Sequence, residues 1–190
     1  METPLNEKES LAIIGSMIAG TRRKLSTDSV HYLLWGWSVL LAALAHFALL
    51  QSGYEHHYLP WAILMPATGI AAAIIGSRQE KQSLVKTHID TAMTYLWLGF
   101  LVLLLLVLAS SVKMGWESTY PIIMWLYGLG TFVSGGILRF KPLVYGGIAS
   151  WLFGVAALFV PFEQQLLLLA AAIMCSYIVP GHLLKASKDV

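Results

Sequence analysis

Leu101-Val-Leu-Leu-Leu-Leu-Val-Leu-Ala109 is apolar on every side. A half-buried strand alternates polar with apolar residues, and a helix on a water-soluble domain keeps one polar face. This run does neither. It lies inside Thr91–Val112, a stretch with no Asp, Glu, Lys or Arg. A hydrocarbon layer of about 30 Å takes roughly 20 such residues as one helix. Five further stretches read the same way: Val30–Leu50, Tyr58–Gly76, Thr119–Leu138, Leu143–Val160 and Gln164–Pro180, again without a charged residue. Strands of a membrane barrel would instead appear as alternating segments of ~10 residues. The expected fold class is therefore all-α: a polytopic membrane protein with a six-transmembrane-helix bundle.

Composition agrees. Of 190 residues 57% are hydrophobic and only 12% charged, against about 25% charged in an ordinary soluble domain. Mean hydropathy is +0.70. A water-soluble globule of this size needs more polar surface than this chain can supply. A soluble enzyme, a disordered chain and a nucleic-acid binder are thereby excluded, and the net charge of +2 is too small for a nucleic-acid footprint. The lipid bilayer is the expected partner. Cys175 is the one cysteine, so neither an internal disulfide nor a C-x-x-C motif can form. Glu2, Glu7 and Glu9 near the start argue against a cleaved signal peptide.

The charges fix an orientation. With the N-terminus in the cytoplasm, the inner segments hold Lys8, Arg22, Arg23, Lys24, Arg78, Lys81, Lys86, Arg139, Lys141, Lys185 and Lys188, and the outer segments only Lys113. Cations in short loops stay on the cytoplasmic side, so both termini are expected there. Tyr58 with Trp61, and Trp116 with Tyr120, fall where an outer aromatic belt belongs, and Tyr32 and Tyr95 where an inner one does. Pro60, Pro121 and Pro142 stand near helix starts, where a missing N–H is tolerated. Pro180-Gly181 is expected to stop the sixth helix.

Residues 1–28 read as a cytoplasmic amphipathic helix, 29–182 as the transmembrane bundle and 183–190 as a cytoplasmic tail. Leu11, Ile14, Met17, Ile18 and Leu25 recur at helical spacing, with acidic residues early and Arg22-Arg23-Lys24 late, which suits the helix dipole. Such a helix can lie on the membrane surface, dock on the inner mouth of the bundle, or pair with a protein partner.

Two groups of residues could carry function. Outside, His46, Glu55, His56, His57, Glu117 and Glu163 could converge. Imidazoles and carboxylates together suit a transition metal, and imidazole alone suits proton sensing. The competing reading is a set of solvated polar loops. At mid-depth, helix two carries Pro66-Ala-Thr68-Gly69, and helix four carries Gly128-Leu-Gly130-Thr131 followed by Ser134-Gly135-Gly136. Gly and Pro interruptions at matching depth in two helices can mark a transporter site. They are also what close helix packing requires, as in the small-residue seam Gly146-xxx-Ser150-xxx-Gly154. No haem is expected. His31 and His46 stand 15 residues apart on one helix, but no second helix offers a matching pair. No G-x-S-x-G or H-E-x-x-H motif is present, so neither a catalytic set nor a cofactor is anticipated.

Glu9-Ser-Leu-Ala-Ile-Ile14, Leu34-Trp-Gly-Trp37, the run from Gly130 to Pro142, Gln165-Leu-Leu-Leu-Leu169 and Ile178-Val-Pro-Gly-His-Leu-Leu-Lys185 together give the chain a family likeness. It resembles a family of uncharacterised small six-helix bacterial inner-membrane proteins, over nearly its whole length. The resemblance implies a bacterial cytoplasmic membrane location and brings no activity, cofactor or catalytic residue. Two functions stay open: a non-enzymatic binding, accessory or regulatory protein, or a carrier or channel-like protein for a small neutral solute or lipid between helices two and four. A homo-oligomer through small-residue faces is compatible with either.

Overall fold

A computed structural model describes residues 7–82 and 88–187, with side chains from 29–79 and 89–187. The elements in chain order are α1 (Glu7–Gln51), α2 (Leu59–Gln82), α3 (His88–Met114), α4 (Trp116–Ile137), α5 (Lys141–Ala157), α6 (Phe162–Ile173), a π-turn (Met174–Ile178) and α7 (Val179–Ala186). No strand occurs among the described residues. Five segments are long and apolar enough to cross a membrane: Ser29–Gln51, Leu59–Gln79, Ile89–Met114, Trp116–Ile137 and Phe162–Ala186. That is compatible with a multi-pass membrane protein. The remaining helix of the expected six, α5, has 17 residues, a length of about 25 Å.

One expected boundary is not marked in the backbone, and one expectation changes. The boundary drawn at residue 28 is crossed by α1 without a break. The side chains of the proposed amphipathic face, from Leu11 to Leu25, lie outside the described residues, as do Lys86 and Lys188. Pro180-Gly181 does not stop the sixth helix, which runs on as α7 to Ala186. Gly181 is a packing glycine, because a Cβ there would stand 3.0 Å from Leu33 Cδ2 of α1. In a regular α-helix the ring of Pro180 would meet the carbonyl of Ser176. The π-turn just before it widens the backbone at that point.

The helices form an open chain of neighbours. α2 packs on α1, α1 on the α6–α7 rod, that rod on α5, α5 on α4, and α4 on α3. The Cα atoms of α2 and α3, of α2 and α4, and of α1 and α4 come nowhere within 8 Å of each other among the described residues. Large aromatic side chains fill the space they leave. Tyr32 of α1 packs on Trp97 of α3 at 5.9 Å and on Tyr177 of the π-turn at 5.6 Å. Tyr127 of α4 packs on Phe100 and on Tyr177, both at 5.4 Å.

The α4–α5 contact is the opposite case. A Cβ at Gly147 would stand 2.7 Å from Gly128 O, and one at Gly135 would stand 2.7 Å from Val144 N. The two backbones therefore touch, and only glycine fits between them. Ser150 Oγ donates to Met124 O at 2.9 Å and Trp151 Nε1 to Trp125 O at 3.0 Å, tying the seam across. α4 then ends in a Schellman turn, with Phe140 N donating to Gly135 O and Arg139 N to Gly136 O. Arg139 holds the left-handed position of that turn at φ 53°. A glycine would sit there without the steric cost of about 1 kcal/mol that a side chain brings.

Candidate functional site

His46 lies near the end of α1 and is buried at 4% exposure. Its ring is wedged among three other elements. Trp61 Nε1 of α2 donates to His46 Nδ1 at 2.9 Å, and Tyr120 OH of α4 lies 3.5 Å from the same nitrogen. Phe162 of α6 meets the imidazole edge-on at 5.8 Å. His46 Nε2 lies 2.8 Å from Nδ1 of His57, in the turn between α1 and α2. The two rings are parallel to within 8°, with centres 4.9 Å apart. At that separation a 2.8 Å N···N distance puts the facing nitrogens nearly on the line between the centres. The rings therefore meet edge to edge, as a hydrogen bond requires, and not face to face.

The donor inventory assigns the protons. An indole N–H can only donate, so Trp61 fixes His46 Nδ1 as an acceptor. His46 then carries its hydrogen on Nε2 and gives it to His57 Nδ1. His57 in turn holds its hydrogen on Nε2. The result is a one-way relay, Trp61 to His46 to His57, that leads from the packed interior into the exposed turn.

The rest of the expected rim is dispersed. Glu163 accepts from Gln51 Nε2 at 2.9 Å, tying α6 to the end of α1. His56 packs with Tyr54 and Tyr58 in the turn, and Glu117 is exposed. No three His, Cys, Asp or Glu side chains converge as a metal site among the described residues. Of the expected aromatic belts, Tyr58, Tyr95 and Trp116 are exposed. Tyr32 and Tyr120, at 3% and 4% exposure, are core residues instead. They are bound inward by Ser134 and by the His46 group.

The mid-depth residues do not line one pocket. Thr68 Oγ1 donates to Ser38 Oγ of α1 at 2.7 Å. Pro66 is exposed, and a Cβ on Gly69 would meet nothing within 4 Å. On α4, Thr131 Oγ1 donates back to Tyr127 O at 2.9 Å and Ser134 Oγ to Gly130 O at 2.7 Å. Ser134 also accepts from Tyr32 OH at 2.6 Å. A Cβ on Gly130 would stand 3.4 Å from Trp97 and Phe100 of α3. Of the mid-depth residues only Gly130 lines either of two hollows found among the described residues. One, about 230 Å³, is an apolar notch between α3 and α4 lined by Gly99, Leu103 and Gly130. The other, about 370 Å³, lies by Glu117, Ser118 and Gln165.

Gln165 escapes sequence reasoning, although a glutamine inside an apolar run is its own signal. Its Nε2 reaches Ala157 O at 2.9 Å and Glu117 O at 3.0 Å. Ala157 O is a free carbonyl at the end of α5. Glu117 O is free because Pro121, four residues on, has no N–H to give it. One amide thus answers two vacancies left by neighbouring helices. Its own Oε1 is buried without a partner, as is Tyr177 OH.

Comparison with family models, curated proteins and solved structures finds no match to this chain.

Proposed function

We propose that this chain is a multi-pass protein of the bacterial cytoplasmic membrane, with both termini in the cytoplasm, acting by binding as an accessory or regulatory protein and not by catalysis. The six helices cross the bilayer, α5 included, and the His46 end faces outward. The resemblance to small six-helix inner-membrane proteins and the eleven inward cations support the location and orientation.

One observation carries the functional reading: the hydroxyls at mid-depth are spent on the protein itself. Thr68 is bonded to Ser38, Tyr32 to Ser134, and Thr131 and Ser134 to their own helix. A carrier keeps convergent polar groups free for its solute. A solute path between helices two and four would also need a hollow lined by both, and neither of the two hollows described is lined by α2.

The test compares two variants. Removal of residues 1–25 should abolish copurification of a partner in mild detergent while the bundle stays folded. Thr68→Val with Thr131→Val should leave membrane permeability to small neutral solutes unchanged. Loss of an uptake activity in the double variant, or unchanged partner capture by the truncated chain, would count against the binding reading. Impermeant labelling of residues 55–57 from the cell exterior tests the orientation separately.

A further inference from the structure

The hydrogen-bond chain through His46 has no room for another proton. His46 Nδ1 is occupied by the Trp61 indole N–H, and His46 Nε2 faces His57 Nδ1 at 2.8 Å. Each imidazole is already carrying one hydrogen. If a proton from the outer solution is added to His57, both its nitrogens become donors, and two N–H groups then face each other across the pair. The pair can avoid this only by moving the His46 hydrogen to Nδ1. That sets the same conflict against Trp61, whose indole can never accept. Wherever the extra proton sits, one of the two bonds must break.

We infer that the His46–His57 pair is a proton-operated latch, which holds the turn between α1 and α2 on the bundle when neutral and releases it on taking up one proton from outside. This rests on the regulatory reading and names its input. The latch joins four helices and the turn. His46 is on α1, His57 in the turn, Trp61 in the first turn of α2, and Tyr120 and Phe162 bring α4 and α6 against the imidazole. The turn's other hydrogen bonds are local: Ser52, Gly53 and Tyr54 N donate to carbonyls at the end of α1, and Leu59 N donates to His56 O. His57 is only partly exposed, whereas Ser52 to His56 and Tyr58 are exposed. The other titratable groups at this end are Tyr120, Tyr54, His56, Tyr58, Glu55, Lys113, Glu117 and Glu163. Among them only Tyr120 is within hydrogen-bond distance of the pair in the described residues. The Gln51–Glu163 bond is a second tie at this end, so it needs its own control.

The test is amide hydrogen exchange across residues 52–61 in the full chain, reconstituted in lipid nanodiscs, corrected for intrinsic pH dependence, at about pH 8 and about pH 5. Release should speed exchange there about tenfold at the lower pH, equal to ~1.4 kcal/mol at 25 °C. His57→Gln supplies an acceptor that takes up no proton and should shrink the response. His46→Gln with His57→Gln should remove it, and Glu163→Gln should leave it intact. Exchange indifferent to pH in the wild type, or an unchanged response in the double variant, overturns the latch. A response lost in Glu163→Gln also overturns it, because the Gln51–Glu163 tie would then be the sensor. Exchange requires no partner, so it separates the two ideas. A turn that opens in acid while partner capture stays constant keeps the latch and sinks the regulatory reading.

Discussion

α3 and α4 are consecutive helices of nearly equal length, and they follow opposite rules. The α3 span is the more apolar of the two and buries few of its residues, whereas most of the less apolar α4 span is buried. In a water-soluble protein the more apolar helix would be the buried one. Here Leu98, Leu101, Val102, Leu105 and Leu106 face outward, while Gly128, Gly135, Thr131 and Ser134 are buried. The inversion is what a hydrocarbon solvent would demand, and it fits the proposed membrane location. Lipid tails are as apolar as leucine, so helix association depends on close backbone approach and internal hydrogen bonds, not on hydrophobicity.

The contrast can be broken most directly at the seam. Gly147→Val forces a side chain into the Gly128 carbonyl and should cost ~3 kcal/mol or more, read as loss of folded protein in denaturant titration of the reconstituted chain. Gln165→Leu comes next. It strands the carbonyls of Ala157 and Glu117 and should cost about 2 kcal/mol in the same assay. Tyr32→Phe removes the bond to Ser134 and should cost ~1 kcal/mol or less. At the other extreme, Leu105→Ala on the exposed face of α3 should stay within about 0.5 kcal/mol. A Leu105→Ala penalty as large as that of Gln165→Leu would erase the distinction between the two helices and imply a protein covering α3.

Much of the fold was legible because its determinants are local. Uncharged apolar stretches of the right length gave the order of the helices and five of the six expected spans, and Gly146-xxx-Ser150-xxx-Gly154 was readable as a packing seam. What escaped depends on relations across the chain. Trp61 and Tyr120 looked like belt residues because their residue type fits an interface. Their bonding to His46 comes from α2 and α4 converging on α1, which periodicity does not encode. Thr68 and Thr131 share a depth, and depth alone suggested a common pocket. The neighbour order, with α1 taking α2 away from α4, separates them. Gln165 could be flagged as an oddity in Gln165–Leu169, but its role appears only when Pro121 and the end of α5 are beside it.

The π-turn at Met174–Ile178 gives the last rod a spare residue. Shortening an ordinary α-helix by one position rotates everything beyond it by about 100°, enough to swing Leu184 and Gly181 off α1. A π step spans one residue more than an α step. Excision of the exposed Cys175 would tighten that step to α geometry and keep Phe162–Ile173 and Val179–Ala186 on one azimuth, but it would press the ring of Pro180 against the Ser176 carbonyl. The extra residue is thus what lets a proline stand inside the rod without bending it.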